Sequence, residues 1–368
     1  MEELDSLKNM TTDEKKLAFL LKREKNNLDL VRIFLASVVI IGHSYYLVAT
    51  ERHDIVQSMI GFTYSSSLAV KLFFFISGLV VTNSLISKNS ISSFITSRTF
   101  RIFPGLVIAL CISALAIGPL ISNIGIESYY SHREVYWYII DNTRLKMVDT
   151  LPGVFSNNHF KNSINGSLWT LSYEVGCYIF LLGCYMAGAG KSRLIGSLLC
   201  IAIIIEPLLP SRYLITWLSP SDEVTYLPTC FALGALLAIN KDIISLNMKT
   251  CVGFMIMTWM VSNTRHYQYF FYITACLTLL QISSMAAMNK FKPKNDISYG
   301  IYIYGFTVQQ CFAFLFPHSG VLFNQVASLA CSYIIAMLSW KFIEKPSIAF
   351  GEQVHNVILA YFTRTSSR

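Results

Sequence analysis

Charge is scarce in this chain: only 14% of its 368 residues are Asp, Glu, Lys or Arg, against 54% hydrophobic. Soluble domains usually carry about 25% charged residues. Most apolar runs here lack the polar face that a water-exposed helix would show. Metal and disulfide patterns are missing as well. The nine cysteines lie inside apolar runs, with no C-x-x-C pair and no metal-ligand spacing. That excludes a zinc site or a disulfide scaffold and leaves buried thiols acting as small hydrophobes. No cleavable signal peptide is expected either, because the first 27 residues are polar and charged. Thr12-Asp13-Glu14 is suited to cap a short amphipathic helix through Leu17 to Leu21, lying on the membrane surface.

What is present in abundance is apolar sequence in runs near the roughly 20 residues that cross a bilayer core. Ten spans are expected, centred on Leu35, Ile76, Leu110, Cys177, Ile201, Leu233, Phe254, Ala275, Gly305 and Ala330. With the N-terminus inside, twenty Lys and Arg fall on the inner side and seven outside, and Arg32 and Lys71 lie within spans, accounting for all 29. That asymmetry follows the positive-inside rule. The expected fold class is therefore an all-α membrane protein, a bundle of about ten transmembrane helices with both termini cytoplasmic. Residues 1–27 form an inner tail, 28–346 the membrane domain and 347–368 a second inner tail. The net charge of +8 reflects topology and attraction to anionic membrane lipids, and gives no reason to expect nucleic acid. One external loop is sizeable, about 122–166. Its Tyr129, Tyr130, Tyr136, Trp137 and Tyr138 suit either an interfacial aromatic belt or a sugar-stacking lid.

Ionisable side chains inside spans are costly and mark function by default. The first span, LDLVRIFLASVVIIGHSYYL, carries Asp29, Arg32 and His43. Arg32 and His43 are eleven positions apart, about three turns, so they share a face some 16 Å long. They outline a channel wall from an inner cation to a deeper imidazole, or else a snorkelling Arg and a hydrogen-bonded His. Lys71, near the outer end of the second span, is placed to snorkel, and Ser77-Gly78 to permit close helix approach. Arg98 and Arg101 sit on neighbouring positions of one helix face just inside the membrane, where guanidinium forks suit phosphates. Glu174 enters the fourth span at a depth similar to His43 and is expected to partner its imidazole as in a general-base pair. Glu344, between Lys341 and Lys345, reads as a structural ion pair at the inner interface.

In order, these blocks resemble the acyltransferase-3 family of membrane acyltransferases. The matching elements are Arg32 and His43 with ten residues between them, KLFFFISG around Ser77-Gly78, Arg98-x-x-Arg101, SLWTLSYE ending at Glu174, SYGIYIY from Ser298, and Glu344-Lys345-Pro346. The resemblance runs from about Leu28 to Pro346. It implies transfer of an acyl group, usually acetyl, from cytoplasmic acyl-CoA to a hydroxyl on a cell-surface or lipid-linked glycan such as O-antigen or capsule, in a bacterial inner membrane. On that resemblance His43 and Glu174 are catalytic. Arg32, Arg98, Arg101, Ser298 and Tyr299 bind acetyl-CoA, the donor substrate, and no metal is expected. The expected partners are acyl-CoA, the saccharide acceptor and membrane lipids; homo-oligomerisation is left open.

Two departures stand out. Where many relatives have a His shortly after the SYG motif, this chain has Gly305, with Gln309 and Gln310 as candidate substitutes. The SGNH-hydrolase-like domain that many relatives append is not expected in the roughly 22 residues beyond Pro346. Two rival readings are a proton-coupled transporter or lipid-linked sugar flippase with His43 and Glu174 as a proton relay, and a polysaccharide polymerase or ligase. Against the first stands the lack of an internal repeat with Gly/Pro-broken helices; against the second, the single large loop.

Overall fold

A backbone with no water beside it must bond to itself, so long apolar runs are expected to be helices. A computed structural model describes residues 16–48, 54–209 and 221–366. The proposed cap at Thr12 and the outer residues Arg52 and Arg212 lie outside them. The fold is carried by α1 (Leu28–Leu47), α2 (Ser65–Lys88), α3 (Ile91–Cys111), α4 (Ile126–Ser131), α5 (Arg133–Thr143), α6 (Trp169–Met186), α7 (Arg193–Ile205), α8 (Asp222–Ile239), α9 (Met248–Met260), α10 (Tyr267–Ser283), α11 (Ser298–Leu315), α12 (Val321–Ser339) and α13 (Lys345–Ser366). Among the described residues there is no strand, only two isolated bridges.

All ten expected span centres fall on helices. Among the described residues, five helical stretches are long and apolar enough to cross a membrane: α1, α2, α3 continued to Ile121, α6 with its preceding turn from Gly166, and the run Val321–Tyr361 that joins α12 to α13. The other five centres lie on α7 to α11, which fall short of that length and apolarity.

The chain divides into two compact units. The first contains residues 1–32, 67–87 and 176–294. Its centre is the crossing of α2 and α8, where the expected close approach at Gly78 is found. A Cβ on Gly78 would lie 2.0 Å from the Phe231 carbonyl oxygen, and one on Gly234 2.1 Å from that of Phe75. Only glycine allows backbones this near. Ser77 Oγ meets Tyr178 Oη at 2.6 Å beside this contact.

Lys71 departs from expectation. It is 1% exposed, and its ammonium donates to Glu223 Oε2 and Ser67 Oγ, both at 2.6 Å, under the Tyr272 ring. An inward carboxylate from α8 replaces the route to the interface. What is described of the N-terminal amphipathic helix is one turn, Leu17–Leu20. Its Leu17 and Ala18 amides donate to the Ile244 and Lys241 carbonyls, so the turn is pinned to protein.

The second unit contains residues 33–66, 88–175 and 295–368. A hydrophobic cluster in it joins Leu106 and Leu110 of α3, Tyr129, Val135 and Tyr138 of α4 and α5, and Ile303 and Tyr304 of α11. The external segment 122–166 is thus packed structure. Tyr129 and Tyr138 are core side chains, 0% and 1% exposed, whereas Tyr136 and Trp137 are about half exposed. Burial holds the Tyr129 and Tyr138 phenols well above the usual tyrosine range. Residues 340–344 form a π-helical stretch between α12 and α13. That widened turn buries Glu344 to 1% exposure, its Oε1 accepting from Ser339 Oγ at 3.0 Å. Its carboxylate thus faces the protein interior beside Gly300. The expected inner tail after Pro346 is helix α13, packed on α3 through Gly351 and Phe350 against Phe100.

Candidate functional site

The second unit holds six of the seven site residues expected from sequence: His43, Arg98, Arg101, Glu174, Ser298 and Tyr299. Arg32 lies on the second turn of α1, in the part assigned to the first unit.

The SYG motif opens α11, and the residue that anchors it is Asp296. Its Oδ1 accepts from the Ser298 amide at 3.1 Å and from Ser298 Oγ at 2.5 Å. Its Oδ2 accepts from Arg101 Nη2 at 2.7 Å. Both partners are largely buried, with side chains 16% and 11% exposed, so the charge-assisted bond fixes the guanidinium. The face of Arg101 rests 5.5 Å from the Trp340 ring centroid. Tyr299 Oη donates to the Ile102 carbonyl at 2.7 Å, tying α11 to α3 one residue beyond Arg101. Arg98, one turn earlier, is half-buried.

From this end a stripe runs along α11. Tyr299, Tyr302 and Phe306 are spaced three and four apart and so share one face, covering about 10 Å. Tyr302 Oη donates to the Ser167 carbonyl at 3.0 Å and meets Thr170 Oγ1 at 2.6 Å, at the start of α6. Glu174, one turn further along α6, lies within electrostatic reach of both Tyr299 and Tyr302. At the far end of the stripe, Phe306 meets the His43 ring edge to face, centroids 5.4 Å apart.

The expected bond from Glu174 to His43 is not made through Nδ1. That nitrogen is buried and has no hydrogen-bond partner among the described residues. What the structure brings to Glu174 is the tyrosine stripe. The arrangement therefore offers a cation-bearing end at Arg101, a polar aromatic wall about two turns long, and at its far end an imidazole with an uncommitted nitrogen.

Gly305 has a packing explanation. A Cβ there would lie 2.8 Å from Ile40 Cγ1, so α1 occupies the space that a histidine would need. The amide nitrogens of the two glutamines are engaged in the fold, while the buried Gln309 Oε1 has no partner among the described residues. Gln309 Nε2 donates to the Ile40 carbonyl and to Ser44 Oγ, both at 2.7 Å. Gln310 Nε2 donates to the Phe160 and Ser163 carbonyls at 2.8 Å, and its Oε1 accepts from Asn158. They cross-link the fold around His43.

Sequence reasoning missed Asp296, Tyr302 and the interior position of Glu344. Asp296 was discoverable as the acidic residue two positions before Ser298, a natural cap for the SYG turn. Tyr302 was discoverable from its helical spacing with Tyr299 and Phe306.

Long apolar helices with ionisable residues gathered among them define a multi-pass integral membrane protein. A family model described as an acyltransferase domain matches residues 25–343. The chain belongs to this acyltransferase-3 family and is an acyltransferase. It is 28% identical over 336 residues to a protein named O-acetyl transferase from Shigella phage Sf6, covering 88% of this chain and 96% of that one. It is 26% identical over 355 residues to nodulation protein 10 of Rhizobium leguminosarum bv. viciae, covering 88% and 93%. No solved structure matches it.

Proposed function

We propose that the protein moves an acetyl group from cytoplasmic acetyl-CoA to a hydroxyl of a cell-surface or lipid-linked glycan, such as O-antigen or capsule, in a bacterial inner membrane. The observation that carries this reading is the stripe Tyr299–Tyr302–Phe306, which runs from the Arg101–Asp296 pair to His43. The O-acetyl transferase relative supports acetyl as the group and oxygen as its destination. In the accompanying topology ten helices cross the membrane with both termini inside, as the Lys and Arg distribution favours.

Arg98 and Arg101 hold the donor's phosphates, and Ser298 and Tyr299 complete that end. Arg32 joins them on the resemblance alone. The acyl thioester lies along the stripe toward His43. A neutral imidazole nitrogen takes the proton of the acceptor hydroxyl while its oxygen attacks the thioester carbonyl. The C–S bond breaks, the ester forms, and the proton passes from the imidazolium to the departing thiolate, giving free CoA. Glu174 keeps the stripe polar and orients Tyr302, and so acts from beside the reaction path.

The test is acetyl-CoA binding and turnover by the purified full-length protein and by His43→Ala. Equal binding with turnover abolished in the variant is the expected result. If wild type binds no acyl-CoA at all, the assignment fails and a proton-coupled carrier becomes the better account.

A further inference from the structure

A cavity of about 320 Å³ lies in the second unit at the outer end of α1. Leu47 and Val48 close one side, Asn157, Asn158 and His159 of the external segment another, and Ala313, Phe314, Phe316 and Pro317 at the end of α11 the third. Leu47 is one turn beyond His43, about 6 Å along the helix. Phe160, beside His159 and 43% exposed, packs its ring 6.0 Å from that of Phe306, which in turn packs on His43. A short aromatic path thus joins the outer surface at the cavity to the imidazole.

The walls have a definite chemistry. None of the nine lining residues is Asp, Glu, Lys or Arg. The Asn157 amide and the His159 imidazole, both exposed, suit hydroxyls, and the Phe314 and Phe316 rings suit the C–H face of a sugar. The volume is at the small end of the roughly 300–1,000 Å³ of ligand sites, the size for one ring and not a long segment. The loop is also held firmly. Phe155 and Asn162 adopt φ of 51° and 63°, a left-handed conformation costly for non-glycine residues. Phe155 is 0% exposed and packs on Phe314, and Asn158 Nδ2 donates to Gln310 Oε1 at 2.8 Å. Strain maintained by such packing is a mark of a pre-organised binding loop.

We propose that this cavity is the acceptor subsite, and that it takes one neutral sugar residue so that a hydroxyl of that residue reaches His43. The inference rests on the acetyl-transfer reading given above.

The test uses the full-length protein with Asn157→Ala/His159→Ala, and separately the cavity-filling Ala313→Trp. Two quantities are read: acetate bound to the producing cell's surface polysaccharide, and acetyl-CoA affinity of the purified protein. Asn157 and His159 are exposed, so their removal should leave the fold intact. Polysaccharide-bound acetate should fall about tenfold or more in both variants, with donor affinity within about twofold of wild type. If both variants acetylate like wild type, the cavity is not the acceptor subsite. A parallel fall in donor affinity also overturns the assignment, because the cavity then serves the fold or the donor. Failure of wild type to bind acetyl-CoA is separately visible and removes the underlying reading itself.

Discussion

Gly305 of α11 and Ile40 of α1 are packed so closely that a single added carbon would sit 2.8 Å from the isoleucine side chain. The two helices meet three residues before His43, so this contact sets where the imidazole stands. Gly305→His, which copies the residue many relatives carry near this position, should therefore damage the protein. Overpacking of this kind costs about 1–3 kcal/mol. The expected outcome is a lower melting temperature in detergent together with weaker acetyl transfer. A variant as stable and active as wild type would show that α1 can shift freely and that the contact does not hold His43.

Arg101 and Asp296 separate donor binding from structure. Removing one partner of a buried pair costs roughly 3–5 kcal/mol, and the slight exposure of this pair places it toward the lower end. Arg101→Ala and Asp296→Asn should both lose stability. Arg101→Ala should weaken acetyl-CoA binding by about tenfold or more, since it removes a proposed phosphate ligand. Asp296→Asn keeps the guanidinium and should lose less affinity. Equal affinity in Arg101→Ala and wild type, measured by titration calorimetry, would remove Arg101 from the donor site.

How much of this was legible in sequence depended on whether one residue or a spatial partner carried the information. Gly78 was readable because a small residue in the middle of an apolar run has few other reasons to be there. That Arg98 and Arg101 share one helix was readable from their spacing, whereas Ser298 enters only through the family motif. Lys71 was misjudged because snorkelling is the default for a lysine near a span end, and its true partner, Glu223, is 152 residues away. Tyr129 and Tyr136 look alike in sequence, yet Tyr129 donates to the Ala114 carbonyl in the π-helical stretch that continues α3, whereas Tyr136 donates to the Tyr130 carbonyl. Glu344 faces inward because of a π-helical turn, which one residue's insertion creates and hydropathy does not reveal.

The pair Lys71–Glu223 gives the sharpest check on the first unit. Lys71 is 1% exposed and Glu223 keeps a partly exposed side chain, so the lysine bears most of the burial. Lys71→Met leaves Glu223 and Ser67 facing an apolar side chain. Because the carboxylate left behind is partly exposed and can hydrate, that single change should lose less than the roughly 3–5 kcal/mol of a stranded buried charge. Glu223→Gln should be the more harmful of the two, because it strands the buried ammonium. The double variant Lys71→Met/Glu223→Gln should recover much of the loss, since neither charge remains. Thermal unfolding of the four proteins measures the coupling as a double-mutant cycle. Additive losses would mean that the two charges are stabilised independently and that the 2.6 Å contact contributes nothing of its own.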